Sequence, residues 1–406
     1  MSIGRCVLKI FAGLVALGCA ALAIALLLLW LDHRTAVTLP QPSGRFAVGR
    51  TRFDWIDASR TDSLSPEAGV KRELIVWVWY PAASQKSSEP CDYVPPKWRH
   101  ARADFSGILL TDFITKELSR VRTHCITNAD VSSAQPAYPV VLMKSGLGAE
   151  ATDYSTLAEN LASHGYVVVA SDSPYSTSVV VFPDGRVVTA TKMGNPGDSV
   201  LSANERDGLL NRLVMIWSVD NAFVLDRLEQ LNDGNGSNLF KGRLNLQRIG
   251  VFGHSFGGAT AAEFCRDDPR CTAGVDIDGA PFGAVVHTGM DRPFMLLLSD
   301  HGGEVDPESL QIRKKLQSLY NGLPSDHRFW IRLLGTRHFN FSDQALLKQP
   351  HWLLAKAGAL GPIDARRGLQ VTATCVRTFF DVYLKGAPVA SIRNLATKYP
   401  NVQFEK

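Results

Sequence analysis

RIGVFGHSFGGATAAEF, residues 248–264, opens as a β-branched and aromatic run, halts at Gly253-His254-Ser255-Phe256-Gly257-Gly258, and resumes as small residues suited to a helix. An ordinary surface turn does not need this crowding of glycine. The pattern G-x-S-x-G explains it: a serine on a sharp strand-to-helix bend leaves no room for side chains beside it, so glycine stands on both sides. Such a bend would lift Ser255 Oγ above the sheet edge, at a helix N-terminus whose N–H groups and dipole favour negative charge. The strand before it and the helix after it separate this reading from a chance glycine turn.

Outward from that bend the chain alternates strands with helices. RELIVWVWYP (72–81), YPVVLMKSGLG (138–148) and YVVVASDSP (166–174) read as strands, with a helix through YSTLAENLASHG between the last two. VVVFPDGRVVTA (179–190) turns at Asp184-Gly185 and reads as a hairpin. A long helical pattern runs from Asn204 to Asn232. Strands at 248–252, 272–277, 293–298 and 328–334 follow, with helices at 257–265, about 308–319 and near 368–384. This alternation predicts an α/β fold, a mainly parallel, doubly wound sheet of the α/β-hydrolase type. Two stretches break it, 82–137 and 176–231, and are expected as insertions near the pocket.

Composition bounds the function. With 45% hydrophobic and 20% charged residues in 406, the chain can bury a large core. A net charge of +4, spread over 43 basic and 39 acidic residues without a Lys/Arg block, gives no reason to expect nucleic acid. Ile10 to Leu31 carries no charged residue, and about 33 Å of helix would match roughly 30 Å of bilayer hydrocarbon. The N-terminal segment 1–36 is therefore expected as an uncleaved membrane anchor and linker, with a cleaved secretory signal as the alternative and residues 37–406 as the catalytic domain. A lipoprotein reading at Cys19 is disfavoured because the apolar run continues past it. Arg5 and Lys9 before the span place the remainder outside the cytoplasm, in the periplasm if the cell is bacterial. In an oxidising space Cys265 with Cys271, and Cys91 with Cys125, are candidate disulfides; the bland reading is small buried thiols.

A serine hydroxyl needs a base, and the base needs a carboxylate to orient it. In α/β hydrolases these follow the serine as acid and then histidine. His287, His301, His327, His338 and His351 qualify by position. His338 is favoured, since FWIRLLGTRHFNFSD is a strand running into a polar turn. His254 beside the serine reads as scaffolding. CTAGVDIDGAPFG offers Asp276 and Asp278, and PFMLLLSDHGGEVD offers Asp300 and Asp306. In strand alternation Asp276 and Asp278 share a face, and Asp278 is favoured modestly because it lies nearer the C-terminal end, before Gly279.

GHSFGGAT, then DIDGAPFG, then LLGTRHFNFSD, together with YPVVLMKSGLGAEATDYSTLAENLASHGYVVVASD upstream, resemble the platelet-activating-factor acetylhydrolase family of α/β hydrolases, the plasma and intracellular type II group and their bacterial relatives. The resemblance covers about two thirds of the chain. It implies Ser255 as nucleophile, Asp278 as acid and His338 as base, with an oxyanion hole from the backbone N–H groups of Leu147 and Phe256. Where the family has histidine before the first glycine of the upstream loop, this chain has Ser145 after Lys144. The implied activity is hydrolysis of carboxylic esters through an acyl-serine, on short-chain phospholipid-like or other small esters, without cofactor or metal.

Two rival readings have a basis in the residues. Gly146-x-Gly148-x-x-Ala151 with Asp172 imitates a dinucleotide fingerprint and would suit a nicotinamide oxidoreductase. A catalytically silent hydrolase fold could serve as a tethered binding module. The order of Ser, Asp and His along the chain argues against both.

Overall fold

The computed structural model describes residues 3–83, 89–107, 114–197, 202–300 and 306–405. Its strands are β1 (Val37–Thr38), β2 (Ala47–Thr61), β3 (Lys71–Ala82), β4 (Pro90–Asp92), β5 (Val121–Thr127), β6 (Tyr138–Lys144), β7 (Val167–Asp172), β8 (Val179–Val181), β9 (Val187–Thr189), β10 (Leu244–His254), β11 (Cys271–Ile277), β12 (Phe294–Ser299), β13 (Arg328–Leu333) and β14 (Val402–Phe404). One sheet runs β1-β5-β2-β3-β7-β6-β10-β11-β12-β13-β14, with β4 on β5, while β8 and β9 form the separate hairpin expected around Asp184-Gly185. The six strands from β7 to β13 are parallel, and antiparallel pairs occur where β3 meets β2 and β7 and where β14 closes the far edge.

Both faces are covered, which accounts for the continuous apolar runs in the central strands. Side chains alternate between two cores. Trp77, Trp79, Val141, Met143, Val168 and Ala170 meet the helices Ser155–Ser163 and Ala365–Lys385 on one face. Val76, Val78, Val140, Leu142, Val167 and Val169 meet Ala203–Asn232, Phe256–Asp267 and Pro307–Asn321 on the other. The sheet is thus doubly wound, as its alternating grammar predicts.

Three features differ from the sequence expectation or add to it. β2 is absent from the sequence reading, because GRTRFDWIDASRT is charge-rich and no apolar run announces it; it is ordered by twelve register pairs with β3. The stretch 82–137 contributes β4 and β5 to the sheet itself, with β5 pairing β2 in parallel. Both cysteine pairs are bonded, Cys91–Cys125 and Cys265–Cys271, with Cα separations of 5.5 and 5.1 Å. Residues 84–88 and 108–113 of the stretch 82–137 lie outside the described residues.

The helix Ile3–His33 stands apart from this body, its apolar side chains exposed between Val7 and Leu31. Its C-terminal end is nonetheless fastened. Lys116 Nζ donates to the Asp32 carbonyl at 2.8 Å and pairs with the Asp32 carboxylate, and Glu117 N–H donates to the His33 carbonyl at 2.9 Å.

Candidate active site

β10 ends at His254, and the chain bends at Ser255 with φ 57° and ψ −126° before the helix Phe256–Asp267 begins. This is a region that costs a non-glycine residue on the order of 1–3 kcal/mol, held by its surroundings. The surroundings are tight: a Cβ on Gly253 would lie 2.1 Å from the Gly257 carbonyl, and one on Gly257 would lie 2.2 Å from the Lys144 carbonyl. Ser255 N–H donates to the Ile277 carbonyl at 2.8 Å, binding the bend to the end of β11.

Asp278 follows β11 and has φ 53°. Its Oδ1 accepts from Ser299 N–H at 2.7 Å, and its Oδ2 lies 2.8 Å from His338 Nδ1. His338 follows β13 and opens a short 3-10 turn, His338–Phe341, with its imidazole about one third exposed. The ends of β10, β11 and β13 therefore bring Ser255, Asp278 and His338 to one rim of the sheet. His338 Nε2 and Ser255 Oγ hold no hydrogen bond among the described residues, and the two are not bonded to each other. Such contacts commonly close only around bound substrate.

The other candidates are occupied elsewhere. Asp276 is fully buried and its Oδ1 accepts from Gly279 N–H at 2.8 Å; burial raises its pKa to about 8. Asp300 Oδ2 accepts from Gly335 N–H at 3.1 Å, and Asp306 caps the helix Pro307–Asn321. His327 sits at the opposite end of β13 beside Tyr383, His287 lies on the short helix Val285–Thr288, and His351 contacts Gln349. His301 lies outside the described residues.

Phe256 follows Ser255 directly, and Leu147 follows Gly146, where a Cβ would lie 3.1 Å from Ser255 Cβ. Among the described residues neither the Leu147 nor the Phe256 backbone N–H donates to another group of the chain. Leu147 and Phe256 also belong to an apolar wall with Trp217, Leu213, Tyr175 and Phe282, in which the Trp217 and Phe256 rings meet edge-on at 4.9 Å. Trp217 comes from the 176–231 stretch.

Asp172, the acid of the dinucleotide-like pattern, is buried and accepts from Trp77 Nε1 and Ala151 N–H, each at 2.8 Å. It braces the loop and presents no carboxylate to a ribose.

Two contributors escape the sequence reading. Lys144 ends an otherwise apolar strand; its buried Nζ donates to Ser171 Oγ at 2.7 Å, Ser173 Oγ at 2.8 Å and the Ser171 carbonyl at 3.1 Å. Burial pulls its pKa down to about 8. A lone charge closing such a strand was the available signal. Tyr154, hydrogen-bonded to His254 Nδ1 at 2.8 Å, gave none. Ligand-type atoms of His254, Asp278 and His338 lie within 4.8 Å of one another, but both His254 nitrogens and His338 Nδ1 already hold hydrogen bonds, so the trio is a hydrogen-bonded network more than an open metal site.

Comparison with known proteins agrees with this geometry. A probable 1-alkyl-2-acetylglycerophosphocholine esterase of Arthroderma benhamiae is 25% identical over 396 residues, covering 90% of this chain and 93% of that protein. The platelet-activating factor acetylhydrolase of Cavia porcellus is 25% identical over 333 residues, covering 75% and 69%. A ferulic acid esterase from Streptomyces cinnamoneus superposes with a TM-score of 0.74 at 30% identity, over 92% of this chain and all of that one. The family model for platelet-activating factor acetylhydrolase, isoform II, matches residues 32–181 and 207–386, the span that holds Ser255, Asp278 and His338, and the chain belongs to that family.

Proposed function

We propose that this protein is a serine ester hydrolase that removes short acyl groups from phospholipid-like esters, with Ser255 as nucleophile, His338 as base and Asp278 as the orienting acid. The observation that carries the reading is the 2.8 Å contact from Asp278 Oδ2 to His338 Nδ1 at the rim where the strained Ser255 stands. That contact fixes the proton on Nδ1 and leaves Nε2 as the basic nitrogen.

The reaction follows from these positions. Ser255 Oγ attacks the ester carbonyl carbon as its proton passes to His338 Nε2. The tetrahedral oxyanion accepts from the N–H groups of Leu147 and Phe256, each worth about 10²- to 10³-fold in such holes. Collapse breaks the bond to the alcohol oxygen, which leaves with the proton from His338. Water, giving its proton to the same nitrogen, then attacks the acyl-serine; the carboxylic acid departs and Ser255 recovers its proton. No step calls for a metal or cofactor. Within the stretch 176–231, Trp217 and its neighbours wall the pocket beside Phe256.

The helix Ile3–His33 supports a placement at the bilayer. It is long and apolar enough to cross, and its exit is fastened to Thr115–Glu117. Lys348 reaches Thr115 from the segment that carries exposed Trp352 and Leu353, so apolar surface lies close to the exit. Two disulfides favour an extracytoplasmic catalytic domain. The full chain is then expected in the membrane fraction, resistant to alkaline carbonate; release into the wash would overturn the anchor.

The deciding experiment is labelling by a fluorophosphonate probe with a parallel ester series. Labelling and turnover should vanish in Ser255→Ala, and rates should peak at acetyl and fall with acyl length. The 30% identity to a ferulic acid esterase gives a second reading, aromatic acyl esters. Faster hydrolysis of methyl ferulate than of any short aliphatic ester would favour it.

A further inference from the structure

His254 lies between the serine and the base, and no step of the reaction uses it. It is 4% exposed, and both ring nitrogens are engaged: Nε2 is 2.9 Å from the His338 backbone carbonyl and Nδ1 is 2.8 Å from Tyr154 Oη. A carbonyl can only accept, so Nε2 carries the proton and donates it. Nδ1 of the neutral ring must then accept, so the Tyr154 hydroxyl gives it its single proton. The phenol oxygen is left to accept from Gly146 N–H, 3.3 Å away. The result is one directed chain, Gly146 N–H to Tyr154 O–H to His254, and His254 Nε2–H to the His338 carbonyl.

The two ends of this chain are the two parts of the site that must be mutually placed. Gly146 precedes Leu147 in the loop that offers an oxyanion donor, and it runs so close to the nucleophile that a Cβ there would lie 3.1 Å from Ser255 Cβ. The other end is the peptide of the base, whose ring lies over that of His254 with centroids 4.5 Å apart. We propose that Tyr154 and His254 are positioning residues that tether the oxyanion loop to the backbone of His338, holding hole and base in one register around Ser255. This rests on the ester-hydrolase reading above.

The tether is suited to that task because it does not titrate in the working range. Burial holds His254 near a pKa of about 3 and pushes the buried Tyr154 phenol far up, so neither changes charge while His338 cycles its proton. Donor directions therefore stay fixed through turnover.

The test uses the full chain with p-nitrophenyl acetate at neutral pH. Tyr154→Phe removes one hydroxyl and keeps the ring. It should lower kcat about 10- to 100-fold, the scale of small misplacements in a site, while KM stays within about two-fold. Affinity for a trifluoromethyl ketone, which mimics the tetrahedral adduct, should fall in step with kcat/KM. His254→Gln retains an N–H donor toward the His338 carbonyl and should keep more activity than His254→Ala. Because both residues act in one chain, Tyr154→Phe combined with His254→Ala should be no slower than His254→Ala alone. The proposal is overturned if Tyr154→Phe folds with kcat within two-fold of the parent, if the loss falls on KM alone, or if the two effects multiply independently. Should the His254 variants fail to fold, the kcat and ketone affinity of Tyr154→Phe decide. Retained turnover in Ser255→Ala would sink the underlying reading instead, whereas an inactive Ser255→Ala beside a fully active Tyr154→Phe sinks only the tether.

Discussion

Asp276 and Asp278 stand two residues apart at the end of β11, yet only Asp278 reaches His338, while Asp276 turns beneath the nucleophile helix to accept from Gly279 N–H. A Cβ on Gly258 would lie 1.8 Å from Asp276 Oδ1, so its carboxyl occupies the space that glycine leaves open.

The division of labour is testable by turnover. Asp278→Asn should reduce kcat about 10⁴-fold, the scale seen when an orienting carboxylate loses its charge and the imidazole tautomer is no longer enforced. Asp276→Asn, which can still accept from Gly279, should keep most of its turnover, and so should Asp300→Asn. Loss of turnover in Asp300→Asn alone would reassign the acid.

The pH dependence of stability has two opposed contributions. Burial holds Asp276 neutral with its pKa raised from 3.8 to about 8, so its stabilising share is complete below about pH 4 and is lost as pH rises towards 8. His254 is depressed from 6.5 to about 3, so its share is complete above pH 6.5 and is lost as pH falls towards 3. Urea midpoints at pH 5, 7 and 9 should show Asp276→Asn gaining on the parent as pH rises and levelling off above about 8. A difference independent of pH would show that Asp276 ionises freely in the fold.

Arg72 of β3 is buried and donates to Asp220 Oδ2 at 2.7 Å and Asp62 Oδ2 at 2.9 Å, tying the helix Ala203–Asn232 to the sheet. Asp220→Ala strips the guanidinium of its main partner and should cost about 3–5 kcal/mol, the usual penalty for an uncompensated buried charge. A denaturation curve shifted by less than about 1 kcal/mol would mean that Asp62 alone suffices.

The disulfides should differ in weight, because cross-linking chiefly restricts the unfolded chain. Cys91 and Cys125 are 34 residues apart and Cys265 and Cys271 are 6 apart. Chain entropy alone gives about 4 and about 2 kcal/mol respectively. Paired Cys-to-Ser variants should therefore show the larger loss for Cys91 with Cys125, and the reverse order would mean that packing in the folded state outweighs chain entropy.

Legibility in the sequence tracks how local each constraint is. The bend at Ser255 was readable because its glycines answer a steric demand within five residues, and the parallel core because both faces of β6, β7 and β12 are buried and leave unbroken apolar runs. His338 stood out as a histidine in a polar turn just after a strand, Asp278 was favoured over Asp276 only by lying nearer the strand end, and the family likeness implied both. β2 was illegible, since only Arg52 and Asp54 alternate with the more buried Phe53 and Trp55 before the pattern inverts at exposed Ile56 and buried Asp57, and its order comes from pairing with β3. Tyr154 was illegible as a site support because its partner His254 is 100 residues away, whereas Lys144 gave a signal as a lone charge ending an apolar strand but not its partners Ser171 and Ser173, 27 and 29 residues on.

The positive φ of Ser255 also limits what nucleophile this fold can carry. A thiol could replace the hydroxyl without altering the backbone, because cysteine is no bulkier at Cβ than serine. Threonine could not, since a second branch at Cβ at φ 57° would collide with its own chain. Chemical diversification at this position is therefore confined to unbranched side chains: the bend can be converted from oxygen to sulfur, but not decorated with a methyl group.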